Sequence, residues 1–188
     1  MRLNIPNLLT WLRILLIPVF LMIFYVPDTV ISLHHKHYMG TLIFSLAACT
    51  DWLDGYLARA LGQTSAFGAF LDPVADKLMV AAALIVLVKL DYVDMGIAFI
   101  IIGREIAISA LREWMAQLGK SKSTAVSMLG KIKTAFQMAA ILLLLFHEPL
   151  AGLPINELGT LLIYLAAVFT LWSMVYYIRL ALPQIARK

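Results

Sequence analysis

Leu8-Leu9-Thr10-Trp11-Leu12-Arg13-Ile14-Leu15-Leu16-Ile17-Pro18-Val19-Phe20-Leu21-Met22-Ile23-Phe24-Tyr25-Val26 contains a single charged side chain, Arg13. A helix needs about 20 apolar residues to cross a bilayer, and this run meets that length. It is too long for a cleaved signal segment, and no small-residue cleavage pattern precedes Pro27. Working outward, five more stretches have the same character: residues 38–57, 74–90, 95–118, 126–146 and 158–182. Between them lie short connections with turn-forming residues, namely Pro27-Asp28, Gly62-Gln63, Asp91 to Asp94, Gly119-Lys120 and Glu148-Pro149. Lipid offers no partner to an unpaired backbone group, so such stretches are expected to be helical. Continuous apolar runs such as residues 141–146 lack the alternation of a membrane barrel.

Composition agrees. Of 188 residues, 62% are hydrophobic and 14% charged, and mean hydropathy is +0.89. A soluble domain is nearer about 45–50% apolar and about 25% charged, so this chain has too little polar surface to cover a water-facing particle. Disorder, fibrous rods and ordinary soluble enzymes are excluded. The lone cysteine, Cys49, permits no intramolecular disulfide. Neither a repeat nor a low-complexity tract breaks the sequence, which reads as one domain over residues 1–188. The expected fold is all-α: a polytopic membrane protein of six transmembrane helices.

Six crossings put both termini on one side, and the basic residues indicate which. Arg2, Arg13, Arg59, Lys77, Arg112, Lys120, Lys122, Lys131, Lys133, Arg179, Arg187 and Lys188 fall on the terminal side. Only Lys36 and Lys89 fall opposite, with Arg104 inside a span. That asymmetry predicts cytoplasmic termini. The net charge of +4 then reflects topology and anionic lipid heads, with no need of a nucleic-acid partner.

Against this apolar background four carboxylates stand out. Asp51 and Asp54 lie near the cytoplasmic end of the second span; Asp72 and Asp76 open the third. An aspartate at mid-bilayer costs about 2.5–3.5 kcal/mol, so four in two neighbouring helices need compensation. Spacings of three and four put each pair on one helical face. A hairpin folded at Gly62-Gln63-Thr64 sets Asp54 level with Asp72 and Asp51 level with Asp76. Four converging carboxylates repel unless cations separate them. Hard oxygen donors without nearby His or Cys suit magnesium, manganese or calcium. Such a set is large enough for two ions about 3.5–4 Å apart, an arrangement used in phosphoryl chemistry. The alternative is that these are cap or boundary aspartates. Gly55 and Ala58 leave room for a ligand beside the carboxylates or serve close helix packing; Arg59 has the fork to grip a phosphate. Gly68 removes bulk at the level of Ala58.

Asp51-Trp-Leu-Asp54-Gly55-Tyr-Leu-Ala58-Arg59, with Gly68, Asp72 and Asp76, matches D-x2-D-G-x2-A-R-x8-G-x3-D-x3-D at every fixed position. This resembles the signature of the CDP-alcohol phosphatidyltransferases, and the likeness extends over nearly the whole chain. Asn4-Ile-Pro6-Asn7-Leu-Leu-Thr10-Trp-Leu-Arg13, Gly103-Arg104-Glu105 to Leu111-Arg112-Glu113, and Gly130-Lys131-Ile-Lys133-Thr134-Ala-Phe-Gln137 are similar to family members that use sn-glycerol 3-phosphate as acceptor.

The resemblance implies a six-helix homodimer in the bacterial cytoplasmic (inner) membrane, its site facing the cytoplasm. It implies two magnesium or manganese ions held by Asp51, Asp54, Asp72 and Asp76, with Asp76 also the base on the acceptor hydroxyl. Gly55, Ala58, Arg59, Ser65 and Gly68 would contact the CDP moiety, joined by Asn7 and Thr10. The substrates implied are CDP-diacylglycerol and sn-glycerol 3-phosphate, with CMP released.

An anionic acceptor needs cations of its own. Arg104, Arg112, Lys131, Lys133 and Arg179 are the candidates, with Thr134 as a hydroxyl donor. For Arg112, Lys131 and Lys133 the competing reading is snorkelling to lipid phosphates; for Arg104 it is an internal ion pair. Inositol phosphate, serine or phosphatidylglycerol are alternative acceptors. From a different class, a cation transporter would spread carboxylates across the membrane depth, whereas here they gather at one level. His34-His35-Lys36-His37 and His147 read as outer, solvated loop residues, Trp11, Trp52, Trp114 and Trp172 as interfacial anchors, and the nine methionines as packing.

Overall fold

A computed structural model describes residues 5–60, 66–117, 128–149 and 152–185. Six helices follow in order: α1 (Ile5–Tyr25), α2 (Leu33–Ala60), α3 (Ala66–Lys89), α4 (Met95–Gln117), α5 (Met128–Phe146) and α6 (Ile155–Ile185). All regular elements among the described residues are helices, one for each apolar stretch. Local chemistry sets several ends. Ser32 precedes α2, its hydroxyl accepting a long bond from the His35 amide at 3.5 Å. Asp94 caps α4 by accepting from the Gly96 and Ile97 amides at 2.7 and 3.3 Å. Asp91 and His147, with φ of 59° and 52°, take the left-handed conformation just beyond α3 and α5.

Leu8–Tyr25 and Ile155–Arg179 are long and apolar enough to cross a membrane, with hydropathies of 2.2 and 2.0, while Ile132–Phe146 is a shorter apolar helix. The N-terminal half of α2 carries Lys36, and its C-terminal half carries Asp51, Asp54 and Arg59. The start of α3 carries Asp72, Asp76 and Lys77. These charges separate those helices from the plain apolar kind.

The chain forms two compact units. In the first, residues 1–90 with 145–148, α1 packs along both α2 and α3. Its buried apolar residues include Phe20, Phe24, Phe44, Ala83, Leu84 and Leu87. Gly40 permits the close approach of α1 and α2, since a Cβ there would stand 2.7 Å from Phe24 Cζ. The polarity of α1 is inverted relative to a water-soluble helix. Leu8, Leu12, Leu15, Val19 and Met22 recur at helical spacing and are exposed, whereas Thr10 and Arg13 are each only 1% exposed. Apolar outside and polar inside is the pattern expected of a helix solvated by lipid.

One expectation about this unit is corrected. His34, His35, Lys36 and His37 are not in a solvated loop; they form the first turns of α2. Lys36 is buried, its ammonium donating to Asp28 Oδ1 and the Val26 carbonyl, both at 2.5 Å. His37 is also buried, its ring 5.3 Å from that of His147. His34 Nδ1 meets Glu148 Oε1 at 2.7 Å. Polar composition suggested a loop, but the Ser32 cap and these partners let the helix start earlier.

In the second unit, residues 91–144 with 149–188, α4 packs on α6. Ile101, Ile108 and Met115 of α4 and Ile163, Ala166 and Ala167 of α6 are buried. On α5, Phe136 stacks on Phe169 of α6 at 5.8 Å, and Gly159 lies where a Cβ would meet Leu144 at 2.9 Å.

Candidate active site

The first unit brings the aspartates to α1. Arg13 donates from Nη1 to Asp76 Oδ1 at 2.5 Å, and the same nitrogen lies 3.3 Å from Asp51 Oδ1. Asp51 on α2 and Asp76 on α3 therefore stand at one level, as the hairpin arithmetic requires. One turn earlier on α1, the Thr10 hydroxyl donates to Asp72 Oδ1 at 2.5 Å. Thr10 and Arg13 are three residues apart and share a face. The Asp51 and Asp76 side chains are 48% and 41% exposed and Asp72 is partly exposed, so among the described residues these carboxylates are accessible. Pro73 sits inside α3 beside Asp72 and removes one ladder hydrogen bond there.

In the sequence, Arg13 counts among the cytoplasmic charges and ends a family-like stretch without a stated role, and Thr10 falls to the CDP pocket. The side chains of Asn7, Asp54, Gly55, Ala58 and Arg59 lie outside the described residues, although their backbones are helical. Ser65 lies outside them entirely, and Gly68 is buried in α3. The signal that marks Arg13 in sequence is its isolation: an ionisable group inside an apolar helix needs a partner or a function.

Among the described residues, no group of three or more His, Cys, Asp or Glu side chains closes to metal-holding geometry. The donor chemistry nevertheless fits a hard divalent cation. All the donors are carboxylate oxygens, and two of them already converge on a single positive charge.

The second unit gathers the cations expected to meet an acceptor. Lys133 on α5 is 1% exposed and donates from Nζ to Glu105 Oε1. Glu105 also lies 3.5 Å from Arg104 Nη1. Arg104 is buried on α4 and donates from Nη2 to Ser173 Oγ at 2.9 Å; that hydroxyl donates onward to the Thr170 carbonyl at 2.9 Å. The guanidinium carbons of Arg104 and Arg112 lie 5.9 and 5.4 Å from the centre of the Tyr177 ring, within cation–π range. Arg104, Arg112 and Lys133 are thus one group, tied together by Glu105 and Tyr177. The internal pair anticipated for Arg104 exists, shared with Lys133. Thr134 is exposed. Arg179 lines a groove on α6 with Trp172, Val175 and Tyr176. The Lys131 side chain lies outside the described residues. Tyr177 and Ser173 escaped sequence reading because nothing distinguishes them among the other residues of an apolar helix.

Comparison with known proteins gives this arrangement a context. The CDP-alcohol phosphatidyltransferase family profile matches residues 3–172. A protein of Escherichia coli (strain K12) named CDP-diacylglycerol--glycerol-3-phosphate 3-phosphatidyltransferase is 49% identical over 184 residues, covering 96% of each chain. A protein of the same name from Shigella flexneri serotype 5b (strain 8401) matches with the same identity and coverage. The aspartate signature, the match along most of the chain and these relatives agree: the chain belongs to the CDP-alcohol phosphatidyltransferase family.

Proposed function

We propose that this protein transfers the phosphatidyl group of CDP-diacylglycerol to sn-glycerol 3-phosphate, giving phosphatidylglycerophosphate and CMP in anionic phospholipid synthesis. The observation that carries the reading is the meeting of Asp51 and Asp76 at one point, in a chain 49% identical to relatives named for that reaction. Its setting is a bacterial inner membrane crossed six times, with both termini and the site on the cytoplasmic side. The inverted polarity of α1 and the basic asymmetry support that topology. A homodimeric state rests on the family resemblance.

In this reading Asp51, Asp54, Asp72 and Asp76 hold two magnesium or manganese ions. When bound, these supply charge neutralisation to the diphosphate and its leaving CMP. The protein's own groups do the rest. Arg59, Gly55, Ala58, Ser65 and Gly68 seat the CDP moiety, with Asn7 and Thr10 beside them. Asp76 accepts the proton of the attacking acceptor hydroxyl, a base role for which geometry matters before basicity. Arg104, Arg112 and Lys133, with Lys131, Thr134 and Arg179, attract the acceptor phosphate. Glu105 holds Lys133 and Arg104 in place until a phosphate of higher charge competes for them. Bond energy comes from the phosphoanhydride of CDP-diacylglycerol, so the residues need only position and stabilise.

The test is an acceptor panel. Purified protein in detergent, given CDP-diacylglycerol and magnesium or manganese, should release CMP with sn-glycerol 3-phosphate. Inositol phosphate, serine and phosphatidylglycerol should give no release above background. Release with one of those three instead would reassign the acceptor within the family. Absence of release with all four would refute the transferase reading and favour a cation pathway.

A further inference from the structure

Arg13 is the least exposed charge among the described residues of the first unit, and it lies on a helix whose other face is apolar and exposed. A guanidinium stays protonated in any protein environment, so burying it is costly unless it is paired. Its pairing is specific: one nitrogen serves Asp51 of α2 and Asp76 of α3 together. Thr10, one turn away, serves Asp72. Through these contacts α1 reaches three of the four signature aspartates.

We infer that Arg13 is a positioning residue, a built-in countercation that holds Asp51 and Asp76 in register and sets how strongly the aspartate cluster binds divalent ions. This inference rests on the metal reading of that cluster. The fixed charge has two opposite effects. It offsets the repulsion between carboxylates, which lets the three helices pack before any ligand arrives. It also lowers the negative potential that a divalent ion would meet. Even screened as in bulk water, a unit charge about 4 Å from a divalent ion weakens its binding by about thirtyfold. The cluster is therefore tuned toward reversible binding, which suits ions that must share their ligands with a diphosphate entering and CMP leaving.

The test is manganese binding to the full chain in detergent, without substrates, read from the magnetic resonance signal of free Mn2+. Arg13→Met and Arg13→Gln should each bind Mn2+ at least about tenfold more tightly than wild type. Arg13→Lys, which keeps the charge, should stay within about threefold of wild type. In parallel, the unfolding midpoint of R13Q without Mn2+ should fall below that of wild type, and saturating Mn2+ should raise it by more than it raises wild type. R13Q keeps a hydrogen-bond donor and carries the same expectation should R13M fail to fold. If folded R13Q binds Mn2+ no more tightly than wild type, while Asp51→Asn and Asp76→Asn weaken binding, the role assigned to Arg13 is wrong and the metal site stands. If wild type, D51N and D76N do not differ in Mn2+ binding, the metal reading itself fails and takes this inference with it.

Discussion

Glu105→Gln should be among the most damaging single-atom-scale changes in the second unit, and its cost follows from the contacts it removes. Lys133 is 1% exposed and has Glu105 as its carboxylate partner; Arg104, buried at 6% exposure, lies 3.5 Å from the same oxygen. Neutralising Glu105 leaves two buried cations facing each other. Breaking a buried pair from one side costs about 3–5 kcal/mol. Removing Lys133 is milder, because Glu105 keeps Arg104; Lys133→Met should cost about 1–2 kcal/mol, near the range of one hydrogen bond to a charged group. For a chain of this size each kcal/mol moves Tm by about 2–4 °C. E105Q should then lower Tm by about 6–20 °C and K133M by about 2–8 °C. In the double variant the stranded lysine is gone, so its loss should be smaller than the sum of the singles by about 2 kcal/mol, a coupling typical of residues in contact. Thermal unfolding of the four proteins in detergent, followed by tryptophan fluorescence, measures this cycle. Losses that add within about 0.5 kcal/mol would show that Lys133 and Glu105 do not share an ion pair.

Two further predictions concern the first unit. Phe20→Ala should destabilise by about 3–5 kcal/mol, because the side chain is fully buried against Phe24; Met22→Ala, two residues on and 66% exposed, should cost less than about 0.5 kcal/mol. The pair of unfolding midpoints checks which face of α1 is inside. At the other end of the unit, burial, aided by His147, holds His37 below the usual imidazole range; burial does the same to His147, and the hydrogen bond from His34 holds Glu148 below the usual carboxylate range. All three bind protons less readily folded than unfolded, so their contribution to stability is complete above about pH 6.5 and declines below it. The unfolding midpoint should fall between pH 7.5 and 5.5, and a His37→Asn, His147→Asn variant should flatten that fall; an unchanged slope would mean that these imidazoles do not titrate as described.

How much of this was legible in the sequence depends on the physics behind each feature. Helix count among the described residues was, because each long apolar stretch forms one helix with charged connections between them, though α2 and α3 begin earlier, at Leu33 and Ala66. The level pairing of Asp51 with Asp76 was also legible, since a tight hairpin turns equal distances along the chain into equal depth. Arg13 could be flagged as an anomaly in an apolar run, but its partners belong to two other helices, and no local spacing encodes them. The histidines near Ser32 read as loop residues in the sequence but are helical in the structure. Polar composition there reflects the ion pair of Lys36 with Asp28 and the hydrogen bond of His34 with Glu148, which allow a helix to begin, rather than solvation. Tyr177 shows the opposite limit. An aromatic ring on an apolar helix has no sequence mark of the two guanidinium groups that lie over it.

In the proposed reaction, carboxylates on α2 and α3 serve phosphatidyl transfer through divalent ions. CMP release from CDP-diacylglycerol and sn-glycerol 3-phosphate should be measured first in excess chelator and then after manganese or magnesium is restored, for wild type, Asp51→Asn and Asp76→Asn. Expected are no release in chelator, full recovery by wild type on adding the ion, and at least about a hundredfold lower rate in D76N, within the range lost with a general base. Release that continues in chelator, or D51N and D76N proteins that turn over like wild type, would contradict it.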